Sequence, residues 1–283
     1  MTPIFTDRHF PSPDGLRLHY RDYAGAGTPV ICLHGLTRNA RDFEGVAARL
    51  AGLGHRVLVP DMRGRGASAW SDPKSYALPV YIGDLDALFA DAGVGAAVFV
   101  GTSMGGLLTM LTAAARPGRI LAACLNDIGP VIEAAGLQRI AGYIGKTAPM
   151  ADWDASARVI ALGEAAYFPD YRAAEWALHA RRRCRELADG RVAFDYDPAI
   201  AATFSPDPGD GAAKIWPMLD ALAGMPVLSV RGALSDLFTG ETQGQMASRL
   251  PGMQAVVLAD AGHAPSLEEP EAMAGLERLL LSA

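Results

Sequence analysis

Ser103 stands in the pentapeptide Gly101-Thr102-Ser103-Met104-Gly105, between the β-branched run Val98-Phe99-Val100 and an apolar segment of helical character. A strand that turns sharply into a helix needs small residues on either side of the turn, and it lifts the hydroxyl clear of the sheet. A serine hydroxyl is a weak nucleophile until a neighbouring base takes its proton, and that base must itself be oriented by an acid. Two downstream residues offer these roles. Asp236 lies in the Ser235-Asp236 loop, and His263 follows Ala261-Gly262. Asp127, in Asn126-Asp127-Ile128-Gly129-Pro130, is a rival acid. With 31 glycines in the chain a bare Gly-x-Ser-x-Gly is a weak signal, so the elements around it must carry the argument.

Those elements alternate. Leu16 to Arg21 alternates apolar and polar residues as a half-buried strand does, and Asp14-Gly15 ahead of it marks a hairpin. Val30-Ile31-Cys32-Leu33 is an unbroken apolar run, the pattern of a parallel strand covered on both faces. Strands follow at 55–61, 97–100 and 120–125, separated by helices at 42–53, 79–92 and 104–116. Such alternation predicts right-handed crossovers and a mostly parallel sheet flanked by helices. Ligands of such sheets bind beyond the carboxyl ends of the strands, where Gly35, Asp61, Ser103 and Asp127 all fall. His34-Gly35 reads as one wall of an oxyanion hole, with the Leu36 amide aimed at developing charge.

After the sixth strand the alternation stops. Residues 128–222 are rich in Ala, Arg and aromatics and are broken by Ala148-Pro149, Phe168-Pro169, Asp197-Pro198 and Ser205-Pro206-Asp207-Pro208-Gly209. Helices are expected at 138–144, 154–163 and 171–188, with no further sheet strand before Met225. The sheet resumes at 226–232 and ends with a strand at 254–258 and a helix at 270–281. The expected organisation is a core in two parts, 1–127 and 223–283, with 128–222 inserted as a helical cap over the strand ends. Within it, Arg181-Arg182-Arg183-Cys184-Arg185 reads as a solvated face partly neutralised by Glu175 and Glu186. A sharper alternative has one of these arginines bind a substrate carboxylate, although consecutive helix positions let only one or two face a pocket. The aromatics Trp153, Trp176, Tyr167, Phe168 and Trp216 read mainly as packing of this segment.

Composition sets the class. The chain has 283 residues, half of them hydrophobic, and a net charge of -6, an ordinary globular balance that disfavours nucleic acid or an anionic membrane as partner. Three cysteines form no disulfide framework or metal-ligand spacing, and Cys32 and Cys124 lie in apolar runs as buried thiols. The first residues lack a basic-then-apolar signal, and no apolar run reaches the roughly 18 residues that span a bilayer. The expected location is the cytoplasm. Arg63-Gly64-Arg65-Gly66 is not a dinucleotide fingerprint, because Ala69 stands where the third glycine belongs.

Together these residues resemble the α/β-hydrolase fold family over nearly the whole chain. The resemblance rests on His34-Gly35, Asp61-x-Arg63-Gly64-x-Gly66-x-Ser68, Gly101-Thr102-Ser103-Met104-Gly105-Gly106, Ser235-Asp236 and Gly262-His263. It implies Ser103 as nucleophile, His263 as general base and then acid, Asp236 as its orienting partner, and the amides of Leu36 and Met104 as the oxyanion hole. Asp127 is then left to brace the entrance of the cap. It implies a serine hydrolase of carboxylic esters or lactones, acting on a small molecule and needing no metal or organic cofactor. Amide, thioester or carbon–carbon hydrolysis, perhydrolysis, and slow-turnover ligand sensing remain open with the same residues. Serine rather than aspartate at the elbow excludes the alkyl-ester chemistry of the family's dehalogenases and epoxide hydrolases. Ala264-Pro265 after the histidine departs from the meta-cleavage-product hydrolases, which place a tryptophan there.

Overall fold

The computed structural model describes residues 4–207, 209 and 211–283. Met1-Thr2-Pro3 of the opening segment and Pro208 of the expected proline-rich break lie outside the described residues. The chain opens with β1 (Thr6–Pro11) and β2 (Arg17–Tyr23), paired antiparallel across the Asp14-Gly15 turn, where Gly15 takes φ 81°. The alternating unit then begins with β3 (Gly27–Leu33), α1 (Glu44–Gly52) and β4 (His55–Asp61). It continues through α2 (Leu78–Ala92), β5 (Ala97–Thr102), α3 (Met104–Ala115) and β6 (Ile120–Asn126).

From β6 the chain leaves the main sheet. It forms α4 (Ala134–Tyr143), α5 (Trp153–Glu164) and α6 (Ala173–Arg183), then a small hairpin of β7 (Cys184–Glu186) and β8 (Val192–Phe194), and α7 (Gly211–Asp220). The helix expected over 171–188 is therefore too long. It stops at Arg183, because Cys184 to Glu186 pairs with Val192 to Phe194 across a turn in which Gly190 takes φ 82°. β9 (Val227–Gly232), α8 (Gly240–Arg249), β10 (Gln254–Leu258) and α9 (Pro270–Leu281) complete the chain.

Among the described residues the main sheet has eight strands, in the order β1-β2-β4-β3-β5-β6-β9-β10. It is antiparallel from β1 to β4 and parallel from there on. The central strands read as continuous apolar runs because both of their faces are covered. In β5, Ala97 and Phe99 point into one core while Val98 and Val100 point into the other. α3, directly after Ser103, is apolar nearly all round and buries Leu108 and Met110 in the first core. Cys32 and Cys124 are fully buried on β3 and β6, and burial pushes both thiols far up, so they pack as inert apolar groups. No helix among the described residues is long and apolar enough to cross a membrane.

The Asp61-to-Ser68 loop ties the early strands to the strand ends. The Asp61 carboxylate accepts from the amides of Ala40 and Ala67 and from His19 Nδ1, and Ser68 Oγ donates back to the Asp61 carbonyl. A Cβ on Gly66 would lie 2.3 Å from the Asp61 carboxyl carbon, so the loop can close only with glycine there. Fully buried Arg63 is held by Asp84 and Asp14. Arg65, equally buried, donates to Tyr81 Oη and, through Nε, to the Leu36 carbonyl at 3.0 Å. The glycine-rich stretch is thus an internal brace for the loop after β3.

Candidate active site

The turn between β5 and α3 places Ser103 at φ 53°, ψ -114°, a left-handed conformation that few non-glycine residues adopt. The packing on either side accounts for it. A Cβ on Gly101 would meet the Gly105 carbonyl carbon at 2.4 Å, and one on Gly105 would meet the Leu33 carbonyl oxygen at 2.0 Å. Strand and helix therefore approach too closely for any side chain at those two positions, and Ser103 is pushed outward between them. Its amide is tied to the Asn126 carbonyl at 3.0 Å, anchoring the turn to β6.

His263 follows β10 and reaches Ser103 across the strand ends, with Nε2 3.0 Å from Ser103 Oγ. The His263 loop is held by Asn126, whose Nδ2 donates to the Pro265 carbonyl at 2.9 Å and to Thr102 Oγ1 at 3.0 Å. On its other side the imidazole Nδ1 lies 2.7 Å from Asp127 Oδ2. Asp127 is wholly buried; its Oδ2 also accepts from Ser235 Oγ at 2.6 Å, and its Oδ1 accepts from the Gly232 amide at 2.8 Å. With Nδ1–H donating to this carboxylate, Nε2 is left with a lone pair facing the serine hydroxyl.

This corrects the expectation for the acid. Asp236 is not the partner of His263 Nδ1. Its carboxylate takes a two-pronged contact from Arg139 of α4, with Nε at 2.6 Å and Nη2 at 2.8 Å, and accepts from Tyr167 Oη at 3.1 Å. Burial disfavours the Asp236 charge, but the Arg139 fork outweighs burial and holds the carboxyl below its usual range. The two aspartates occupy each other's expected positions. Asp127 meets the histidine, and Asp236 ties the core to the segment inserted after β6. The sequence signal for Asp127 was its place directly after a buried parallel strand neighbouring β5.

The amides of Leu36 and Met104, expected to form an oxyanion hole, have no hydrogen-bond partner among the described residues, and Leu36 lines the cavity that holds Ser103. The orientation of the Leu36 amide follows from His34. The Met62 amide donates to His34 Nε2 at 3.1 Å, so the ring proton sits on Nδ1, which donates to the Gly35 carbonyl at 2.7 Å. Burial pushes the His34 pKa down, keeping the ring neutral. A carbonyl pinned on that side turns the N–H of the same trans peptide, that of Leu36, to the opposite side. Met104 is the first residue of α3, whose amino end carries the favourable end of the helix dipole.

Ser103 and His263 line a cavity with Gly35, Leu36, Thr37 and Arg38 on the core side. Ile140, Tyr143, Glu164, His179 and Arg182 close it from the inserted segment. A second chamber shares Thr37, Arg38, Tyr143 and Glu164 with the first and extends to Ile160, Phe194 and Tyr196. The arginine run is a solvated face only at its ends, where Arg181 and Arg185 are exposed. Arg182 and Arg183 are buried and paired with Glu268 and Glu164. Arg181 covers the Trp153 ring at 3.9 Å, and Arg185 sits 3.5 Å from Asp195. The neutralising partners also differ. Glu175 caps its own helix through the Arg172 amide, and Glu186 accepts from Trp153 Nε1.

A model of the alpha/beta hydrolase family matches residues 30–276. The 3-hydroxybutyrate-oligomer hydrolase of Cupriavidus necator is 34% identical, over 93% of this chain and 92% of its own length. An esterase of Mycobacterium tuberculosis is 27% identical, over 92% of this chain and 84% of its own. The crystal structure of an alpha/beta hydrolase from Novosphingobium aromaticivorans superposes with a TM-score of 0.94 at 46% identity, with each chain covered over 100% of its length.

Proposed function

This chain belongs to the alpha/beta hydrolase family, and we propose that within it the protein is a serine hydrolase of carboxylic esters, working through Ser103, His263 and Asp127. The observation that carries this reading is the continuous hydrogen-bonded chain from Ser103 Oγ through His263 to buried Asp127, at the wall of a cavity. In this scheme His263 Nε2 removes the proton as Ser103 Oγ attacks the ester carbonyl. Asp127 stabilises the imidazolium, and the amides of Leu36 and Met104 receive the oxyanion. His263 then returns the proton to the departing alcohol. Water activated by the same histidine next releases the acid from the acyl-enzyme.

The substrate class we infer is a short ester of hydroxy acids. A relative matched along almost its whole length is named for oligomers of 3-hydroxybutyrate, whose units are joined by ester bonds. We read residues 128–222 as a cap, since Tyr143, Glu164 and His179 line the cavity that holds Ser103. A p-nitrophenyl butyrate assay tests the reaction class. Turnover by the wild type should fall by at least about a thousandfold in Ser103→Ala. Activity retained in that variant would remove Ser103 from the chemistry.

A further inference from the structure

We propose that the cavity contains a carboxylate-binding subsite built on Arg38, which selects esters bearing a free carboxylate. The proposal rests on the ester-hydrolase reading of this cavity and adds a substrate feature to it.

Arg38 lies beside the reacting serine. A Cβ placed on Gly35 would stand 3.5 Å from Arg38 Cγ and 3.8 Å from Ser103 Cβ, so the two side chains flank the same glycine. Arg38 lines both chambers. Among the described residues its one hydrogen bond runs from Nη1 to Asp42 Oδ1 at 3.2 Å. Its Nε and Nη2 have no hydrogen-bond partner among the described residues, and neither is sealed inside the protein. Nε and Nη2 form the edge of the guanidinium that takes a carboxylate with two parallel hydrogen bonds. Arg139 uses that same edge on Asp236. In Arg38, which lines both chambers, that edge is left unpaired.

The other arginines of the cavity are committed. Arg139 has both atoms of that edge on Asp236, and Arg183 holds Glu164 with Nη1 and His179 with Nη2. Arg182 holds Glu268 with Nη2 at 2.6 Å, and its Nε is sealed without a partner. Asp42, Glu164, Asp236 and Glu268 balance the four arginines, so net charge does not select an acid; the open fork does. His179, on the same wall, is pushed far below the usual histidine range by burial first and then by the charges of Arg183, Arg38 and Arg182. The carboxylate-binding arginine sought in the run at 181–185 is thus located on the loop after β3, three residues past Gly35.

The test uses the linear dimer of 3-hydroxybutyrate as the free acid and as its methylamide, following cleavage of the internal ester by chromatography. The wild type should prefer the acid by about tenfold or more in kcat/KM, chiefly through KM. In Arg38→Gln the ratio of acid to amide should fall to near one. Arg38→Lys keeps the charge without the fork, and should lower the ratio at least about threefold, which secures the test if the glutamine variant does not fold. A wild type that treats both dimers alike, or a preference that survives both substitutions, overturns the subsite. Cleavage of p-nitrophenyl butyrate with neither dimer cleaved overturns the subsite and the hydroxy-acid substrate class, and leaves the ester-hydrolase reading standing. Failure to cleave any of the three esters removes the ester-hydrolase reading along with it.

Discussion

The carboxylate of Asp127 accepts from a backbone amide, a serine hydroxyl and an imidazole while fully shielded from water. A buried acid with that many donors is fixed in place, and the ring it holds is fixed in tautomer. Asp236 has an arginine fork and a tyrosine hydroxyl instead. Asp127→Asn should therefore reduce kcat for an ester by about 10²- to 10⁴-fold, through loss of the ring's orientation and of imidazolium stabilisation. Asp236→Asn should reduce kcat less than about tenfold. Steady-state kinetics of the two variants side by side decides between them, and the reverse order of losses would return the acid role to Asp236. From the chain alone both residues follow buried strands, and nothing in their local sequence says which carboxylate faces the histidine. That depends on Arg139, 97 positions from Asp236, arriving from the inserted segment to claim one of them.

The elements of the main sheet were legible because the physics that forms them is local. Apolar runs, helical spacing and turn glycines place β3 to β6 and the intervening helices within a few residues of where they lie. In the inserted segment helical spacing gave α5 and most of α4, but not the hairpin or α7. Its small hairpin is set by pairing of Cys184–Glu186 with Val192–Phe194, and α7 contains Pro217, which argues against a helix when read locally. What seats the segment on the core is likewise non-local. Asp236 of the β9–α8 loop holds Arg139 and Tyr167, the Arg139 guanidinium lies 4.8 Å from the Tyr167 ring centroid, and a Cβ on Gly262 would meet Tyr167 Cβ at 2.4 Å. Urea denaturation of Arg139→Met, Asp236→Asn and the double variant should give a coupling energy of at least about 1 kcal/mol, because either single change leaves a half-buried charge unpaired. Additive losses would show that the contact does not join the two parts.

Across the whole molecule, three buried histidines set a pH dependence. Burial depresses His34, and burial followed by neighbouring arginines depresses His179, so both are neutral when folded. The unfolded chain binds protons at these positions below about pH 6.5, so stability falls as pH drops through that value. His19 behaves oppositely. Burial opposes its charge, but the carboxylates of Asp61 and Asp7, bonded to its two ring nitrogens, raise its pKa above the ordinary value. Its contribution is fully present below about pH 6.5 and is lost as pH rises through the raised value. Melting temperature against pH should show His179→Asn flattening the acid limb and His19→Gln flattening the limb above pH 6.5. Unchanged limbs would mean that the burial and partners described for these rings do not govern stability.

At the same scale, the proposed reaction rests on Ser103 in one cavity with His263. The most direct measurement is covalent labelling of the intact protein with a fluorophosphonate, followed by mass spectrometry of the peptides. A single adduct is expected, on Ser103, lost in Ser103→Ala and strongly slowed in Asp127→Asn. An adduct on any other residue, or a wild type that takes no label, would contradict the proposed reaction.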